Sequence, residues 1–407
     1  MRKWNVPLLL ILLTILFILM LSYPHTAWQA GERGLAIWWD VLFPSLFPFF
    51  ILSELMLGFG IVHFAGMLMD PLMKPLFRIP GSGGFVAAMS FASGYPVSAK
   101  LTAKLREQQL LTREEGERLV AFTTTSDPIF LIGAVAVGFF HNAELAGTLA
   151  LAHYGSAILV GLLMRFHAKN AAPSPQTSYK RSGFSMRKAI HAMHQARILD
   201  GRSLGEMLKQ AVTSALSLMT VVGGLVVVFC VLLEVLRVSG MMTILYQGIG
   251  QALLAMGLPS QLAEPFVGGT FEVTLGAQAA ATVPAGIPLV YKVAAAAFVL
   301  SWAGLSVHAQ ILSILNATDL RYLPFVIARL IHGIFAFVIV FFLWPFTGPD
   351  QHPVFQSTLS VWHHPAWSEV PSSLTLCLQI ALVLLILSFS FYFIQRTWSN
   401  RKGSSHK

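Results

Sequence analysis

The feature that most restricts this chain is a succession of apolar runs at 6–23, 120–140, 145–166, 211–236, 290–315, 323–344 and 374–393. Each is roughly 18 to 26 residues long, enough helix at 1.5 Å per residue to cross a hydrocarbon core of about 30 Å. An eighth run, 38–60, is interrupted by Asp40, Pro44, Pro48 and Glu54. Only 11% of the 407 residues are charged, and the mean hydropathy of +0.68 lies outside the range of soluble domains. The expected fold is an all-α polytopic membrane protein with about eight spans.

Charge sets the expected orientation. Arg165, Lys169, Lys180, Arg181, Arg187, Lys188, Arg197, Arg202 and Lys209 stand against Asp200 and Glu206 in the central loop, and Arg396, Arg401, Lys402 and Lys407 crowd the end. Basic residues collect on the cytoplasmic side, so the N-terminus, the central loop and the C-terminus are expected there. The net charge of +9 is thereby read as topogenic, with no nucleic-acid partner. The stretch SMRKAIHAMHQARILDGR (185–202) reads as a short basic helix on anionic lipid or as a solvated loop. Segment 346–373 has no Lys or Arg and is expected outside. The first run, after Arg2 and Lys3, lacks a clear small-residue cleavage site and is read as a retained helix. Cys230 and Cys377 both fall within apolar runs and give no disulfide framework.

The chain also carries a duplication. FFILSELMLGFG with Glu54 is similar to VFCVLLEVLRVSG with Glu234, and LALAHYGSAILVGLL with His153 is similar to IARLIHGIFAFVIVF with His332. AFTTTSDPIFLIGAV answers to AFVLSWAGLSVHAQIL between them, in the same order. With the expected sidedness the two units are inverted, the architecture of secondary transporters. The expected divisions are 1–34 (first helix and outside loop), 35–167 (first unit), 168–203 (basic loop), 204–345 (second unit) and 346–407 (outside loop, last helix and tail).

Each unit contains a stretch unlike a simple span: PGSGGFVAAMSFASGYPVSAK (80–100) and PFVGGTFEVTLGAQAAATVPAGIP (265–288). Both read as broken or re-entrant helices, whose free N–H groups would face an anion. The candidate substrate residues are Ser93, Gly94, Tyr95 and Ser98 in the first, and Gly268, Gly269, Thr270, Glu272 and Thr274 in the second. Thr124, Thr125 and Ser126 join them from TTTSDP, and Ser306, His308 and Gln310 from SWAGLSVHAQ. The Gly81–Gly84 cluster has the alternative reading of small-residue helix contacts, an alternative weaker for SGYP.

Ionisable groups at membrane depth are functional candidates by default. Glu54, Glu234 and Asp127 are candidates for coupling; Glu54 and Glu234 read equally as structural, and Asp127 as a helix cap. His153 and His332 read as a symmetric helix–helix hydrogen bond. Lys100 and Lys292 would draw an acid to a cavity mouth or snorkel to the interface. LREQQLLTREEGER (105–118) is read as a solvated loop. No HExxH, GxSxG or phosphate-binding glycine motif is present, so no enzyme activity, metal or cofactor is expected.

At these motifs, SFASGYPVSAKLTAKLREQQLLTREEGERLVAF, TTTSDPIFLIGAVAVGFF, HYGSAILVGLL, GGTFEVTLGAQ, GLSVHAQI and RYLPFVIARLIHG, the chain resembles the sporulation integral membrane proteins of endospore-forming Firmicutes, in the nucleoside-recognition (Gate) superfamily. The resemblance implies a stage V sporulation protein in the outer forespore membrane that moves dipicolinic acid, a planar pyridine dicarboxylate, out of the mother cell. The partners it implies are that small anion, the bilayer and other sporulation membrane proteins. A nucleoside-type transporter and a non-transporting membrane scaffold are the alternatives.

Overall fold

A computed structural model describes residues 5–172, 174 and 186–349. The last apolar run, the basic tail and nearly all of segment 346–373 lie outside the described residues. Every described element is helical. Four helical stretches, Leu145–Met164, Leu204–Val238, Leu289–Leu315 and Tyr322–Thr347, are long and apolar enough to cross a membrane. This is an all-helical polytopic membrane protein.

The chain starts with α1 (Asn5–Ser22) and α2 (Pro24–Ala36). A π-helical turn, Ile37–Leu42, leads into α3 (Phe43–Gly58). Then come α4 (Ile61–Phe77), α5 (Ser82–Ser93), α6 (Tyr95–Glu107) and α7 (Arg113–Thr123). A π-helical segment, Ile129–Phe139, and α8 (Leu145–Met164) complete the first half. The basic segment forms α9 (Met186–Asp200), which packs on α4. The second half comprises α10 (Leu204–Val238), α11 (Met241–Ala255), α12 (Ala263–Phe271), α13 (Val273–Thr282), α14 (Leu289–Trp302), α15 (Gly304–Leu315) and α16 (Tyr322–Thr347).

The two halves share one succession of elements: a helix carrying Glu54 or Glu234, a left-handed glycine, a second helix, two interrupted helix pairs and a closing helix with a buried histidine. The left-handed glycines, Gly60 (φ 75°) and Gly240 (φ 78°), open α4 and α11. Conformations with φ > 0 are open to glycine without a Cβ penalty, so the same residue at the same point keeps the same turn. The closing helices α8 and α16 pack together, with His332 Nε2 donating to the His153 carbonyl at 2.8 Å and the rings stacked 5.0 Å apart. The two histidines meet, but the expected symmetry is absent: the His153 ring bonds to Ser126 and Ser301 instead.

Packing explains why the interruptions sit where they do. The row Ala294–Ala295–Ala296–Ala297 on α14 is fully buried against α16, α13 and α8, because small residues let helix backbones approach closely in apolar surroundings. A second core joins α3 to α7 with the first half of α10. Large apolar side chains such as Phe17, Ile244 and Phe342 face outward, as a lipid solvent permits.

Three expectations are corrected. The run 120–140 is two pieces, because Thr124–Asp127 leave the helix. The run 290–315 is also two pieces, because Ala303 (φ 76°) and Gly304 (φ 74°) are left-handed. The stretch 105–118 is not a solvated loop. A capping box between Thr112 and Glu115 starts α7 there, and Glu117 and Arg118 are buried.

Candidate functional site

Four helix interruptions define the site. In the first half, α5 ends and α6 begins at Gly94 (φ 83°, ψ −174°); Pro96 follows in the first turn, where its missing N–H costs nothing. The chain next leaves helix at Thr124–Asp127, and the Asp127 carboxylate takes the Phe130 N–H at 2.8 Å to start the π-helical segment. In the second half, Glu272 is extended between α12 and α13, and its own carboxylate takes the Leu275 N–H at 2.8 Å. The last interruption is Ala303–Gly304.

Within each half the two interruptions touch. A Cβ on Gly94 would lie 3.1 Å from Asp127 Oδ2, and one on Gly304 would lie 3.1 Å from the Glu272 backbone. Each half therefore presents one helix N-terminus closed by a carboxylate, at Asp127 or Glu272. Each also presents one without a side-chain cap, at α6 or α15. An uncapped N-terminus retains free N–H donors and a positive dipole end.

Side chains then tie one half to the other. Tyr95 Oη donates to the Leu300 carbonyl at 2.6 Å. His153 Nε2 accepts from the Ser126 N–H at 2.9 Å, which leaves Nδ1–H to donate to Ser301 Oγ at 2.8 Å. Within the first half, Tyr154 Oη donates to the Ser126 carbonyl at 3.0 Å. Ser98 and Thr123 share a hydrogen bond of 2.6 Å between hydroxyls, and Thr124 Oγ1 reaches Ser98 Oγ at 3.2 Å.

Arg329 of α16 lies at the junction and is fully buried. Its Nη1 donates to the carbonyls of Thr124 and Ser301, and its Nη2 to that of Ala121. These carbonyls belong to the ends of α7 and α14, which the interruptions leave without helical partners. The guanidinium thus closes two negative helix ends at once. No carboxylate pairs with it among the described residues, and its Nε–H makes no hydrogen bond. The hydroxyls of Ser93, Ser126 and Ser306 and His332 Nδ1 are also buried without partners. Buried polar atoms are nearly always paired, so this concentration of unpaired groups beside a positive charge fits a polar or anionic guest. The interruptions are closed to solvent in this conformation: Ser93, Ser98, Thr124, Thr125, Ser126 and Ser301 have no exposed surface.

The structure brings together Gly94, Tyr95, Ser98, Thr124, Thr125, Ser126 and Glu272; Ser93 is the last residue of α5 before Gly94, and Ser306 lies in the first turn of α15. Thr274 lies in the first turn of α13, next to Glu272. Other expected residues serve the frame. Gly269 and Gly276 let α12 and α13 touch backbone to backbone against Val299, with Gly268 beside them. Thr270 turns back on its own helix, Oγ1 to the Phe266 carbonyl at 2.7 Å. His308 holds the outer side of the last interruption: Nε2 donates to the Trp302 carbonyl at 3.0 Å, and Nδ1 accepts from Tyr322 Oη at 2.7 Å. Gln310 is buried further along α15.

The coupling candidates separate. Glu54 pairs with Lys100 at 3.3 Å and with Lys104, joining α3 to α6. Glu234 pairs with Arg33 at 3.1 Å and Arg237 at 2.8 Å. Asp127 alone of the three stands at the junction. Lys292 donates to the Val283 carbonyl at 2.6 Å and so closes the end of α13. Arg329 was not among the expected binding groups, and Ser301 stood out only as part of the polar set in SWAGLSVHAQ; the visible signal for Arg329 was one guanidinium inside the apolar run 323–344.

The sequence model of the nucleoside-recognition (Gate) family matches residues 40–193. The sporulation integral membrane protein YlbJ of Bacillus subtilis (strain 168) is 41% identical over 386 residues, covering 91% of this chain and 93% of that protein. An uncharacterized protein of Alkalihalophilus pseudofirmus is 27% identical over 139 residues, 31% of this chain and 30% of its own. No solved structure matches. A relationship that runs through both halves and all four interruptions places this chain in the YlbJ family of sporulation integral membrane proteins.

Proposed function

We propose that the protein carries a small anion across the membrane, with dipicolinate the substrate and the outer forespore membrane its place. The observation that carries the proposal is Arg329, a buried guanidinium with no carboxylate paired to it among the described residues, where four helix interruptions meet. A planar dicarboxylate has one charge for Arg329 and the α6 N-terminus and another for the α15 N-terminus. The hydroxyls of Ser93, Ser126 and Ser306 supply further donors. Asp127 and Glu272, rather than the ion-paired Glu54 and Glu234, are the groups placed to take up a proton when an anion enters, because two carboxylates at the same junction repel it while ionised. The two units would rock about the α8–α16 contact as inverted repeats do, with both termini cytoplasmic and no covalent chemistry.

The test is uptake of radiolabelled dipicolinate into liposomes containing the purified protein, with uridine in parallel and Gly94→Leu as the control. Dipicolinate uptake that Gly94→Leu loses supports the proposal. Uptake of uridine alone moves the substrate class to nucleosides, a class that the unpaired neutral hydroxyls would also serve. Uptake of neither by folded protein favours a scaffold.

A further inference from the structure

A second concentration of positive charge lies away from the junction and shares no residue with it. A cavity of about 220 Å³ is lined by Lys74 and Arg78 at the end of α4, Thr112, Glu115 and Arg118 at the start of α7, and Lys169 just after α8. That volume is several times the ~30 Å³ share of one water in the liquid. Four cationic side chains face one acid.

The acid is already engaged. Glu115 Oε2 accepts the Thr112 N–H at 2.9 Å as part of the α7 cap, and Oε1 accepts the Ser174 N–H at 3.2 Å. Arg118 forms a fixed wall, its guanidinium donating to the carbonyls of Arg78 at 2.8 Å, Ala168 at 2.9 Å and His167 at 3.0 Å. Burial, and with it the nearby Arg78 charge, holds Arg118 below the usual guanidinium range despite the opposing pull of Glu115. Arg78, itself left-handed at φ 54°, reaches the Lys169 carbonyl at 3.5 Å. Neither Arg78 nor Lys169 has an ion pair among the described residues. Close by, Leu163 and Phe166 at the end of α8 face outward, 45% and 65% exposed, as side chains against lipid do.

We propose that this pocket binds a phosphate-bearing anion, its phosphate held by Arg78 and Lys169 against the fixed Arg118. A phosphate here comes either from the headgroup of an anionic lipid or from a free phosphate compound; the chemistry of recognition is the same. Such a ligand clamps the ends of α4, α7 and α8 together.

The test is native mass spectrometry of the full-length protein, titrated with phosphatidylglycerol, with phosphatidylcholine, and with inorganic pyrophosphate. The wild type is expected to retain phosphatidylglycerol or pyrophosphate in preference to phosphatidylcholine. Lys169→Gln, at an exposed position, and Arg78→Gln/Lys169→Gln are each expected to bind that ligand at least about tenfold more weakly. Retention of phosphatidylglycerol alone makes the ligand a membrane lipid, and retention of pyrophosphate alone makes it a soluble phosphate; both support the site. Binding of neither anion, or binding that Lys169→Gln leaves unchanged, overturns it.

Discussion

Arg329 carries the residue-scale argument. It closes the ends of α7 and α14 through three carbonyls, and its planar fork is what allows one side chain to do so. Arg329→Lys is therefore expected to behave much like Arg329→Gln: dipicolinate uptake falls at least about tenfold, and thermal stability drops by roughly 1.5–3 kcal/mol per charged hydrogen bond lost. Uptake by the lysine variant equal to wild type would show that charge alone suffices. Arg329 stands out in the sequence as a charge in an apolar run, but two of its three partner carbonyls lie about 200 positions upstream at the end of α7, and no local pattern encodes that meeting. Tyr95 and Glu272 were legible because Gly, Pro and acid residues interrupt their own helices. Glu117 gives a pH test. Its carboxylate is buried, which alone would raise it, but hydrogen bonds from Arg321 at 2.7 and 2.8 Å and from His167 at 2.7 Å hold it below the usual carboxylate range. Its contribution to stability is thus present above its ordinary value of 4.5 and lost as the pH falls below that. Thermal unfolding between pH 7 and pH 3 is expected to be less steep with pH in Glu117→Gln than in wild type.

At the scale of elements, the interruptions follow from particular residues. Gly94 must hold φ 83° with ψ −174°, a region essentially confined to glycine, with Asp127 against it, so Gly94→Ala is expected to cost about 1–3 kcal/mol, and Gly94→Leu more. Gly276→Val is expected to force α12 from α13, costing about 1–3 kcal/mol as overpacking; unfolding in detergent measures both. Thr112→Ala removes the α7 cap and costs about 1 kcal/mol. The interruption at Ala303 was the hardest to read in advance. Hydropathy runs unbroken through SWAGLS, and an apolar row bends as readily as it continues once Glu272 and Gly269 press against its turn. TTTSDP announced its polarity but not its shape: a chain leaving helix at membrane depth needs its carbonyls satisfied from elsewhere, and those donors come from α8 and α16.

The whole molecule is two similar halves joined at the junction and again at one end. There Arg106 pairs with Asp319 at 2.8 Å and Glu117 with Arg321, bridging α6 and α7 of the first half to the α15–α16 turn of the second. The exposed Arg106–Asp319 pair contributes little to stability, so its place between halves matters more for motion. Cysteines at 106 and 319, joined by a bifunctional thiol reagent in a background lacking Cys230 and Cys377, are expected to stop uptake, and a cleavable linker to restore it on reduction. Transport that persists through the crosslink would rule out relative motion of the halves at this end. The duplication was legible from Glu54, Glu234, His153 and His332; the meeting of all four interruptions around one arginine was not, because it arises only when the halves pack. The most direct measurement is equilibrium binding of radiolabelled dipicolinate to purified wild-type protein and to Arg329→Gln shown to be folded. Saturable binding by the wild type that the variant loses is the expected result; equal binding by both would place the anion elsewhere and contradict the account.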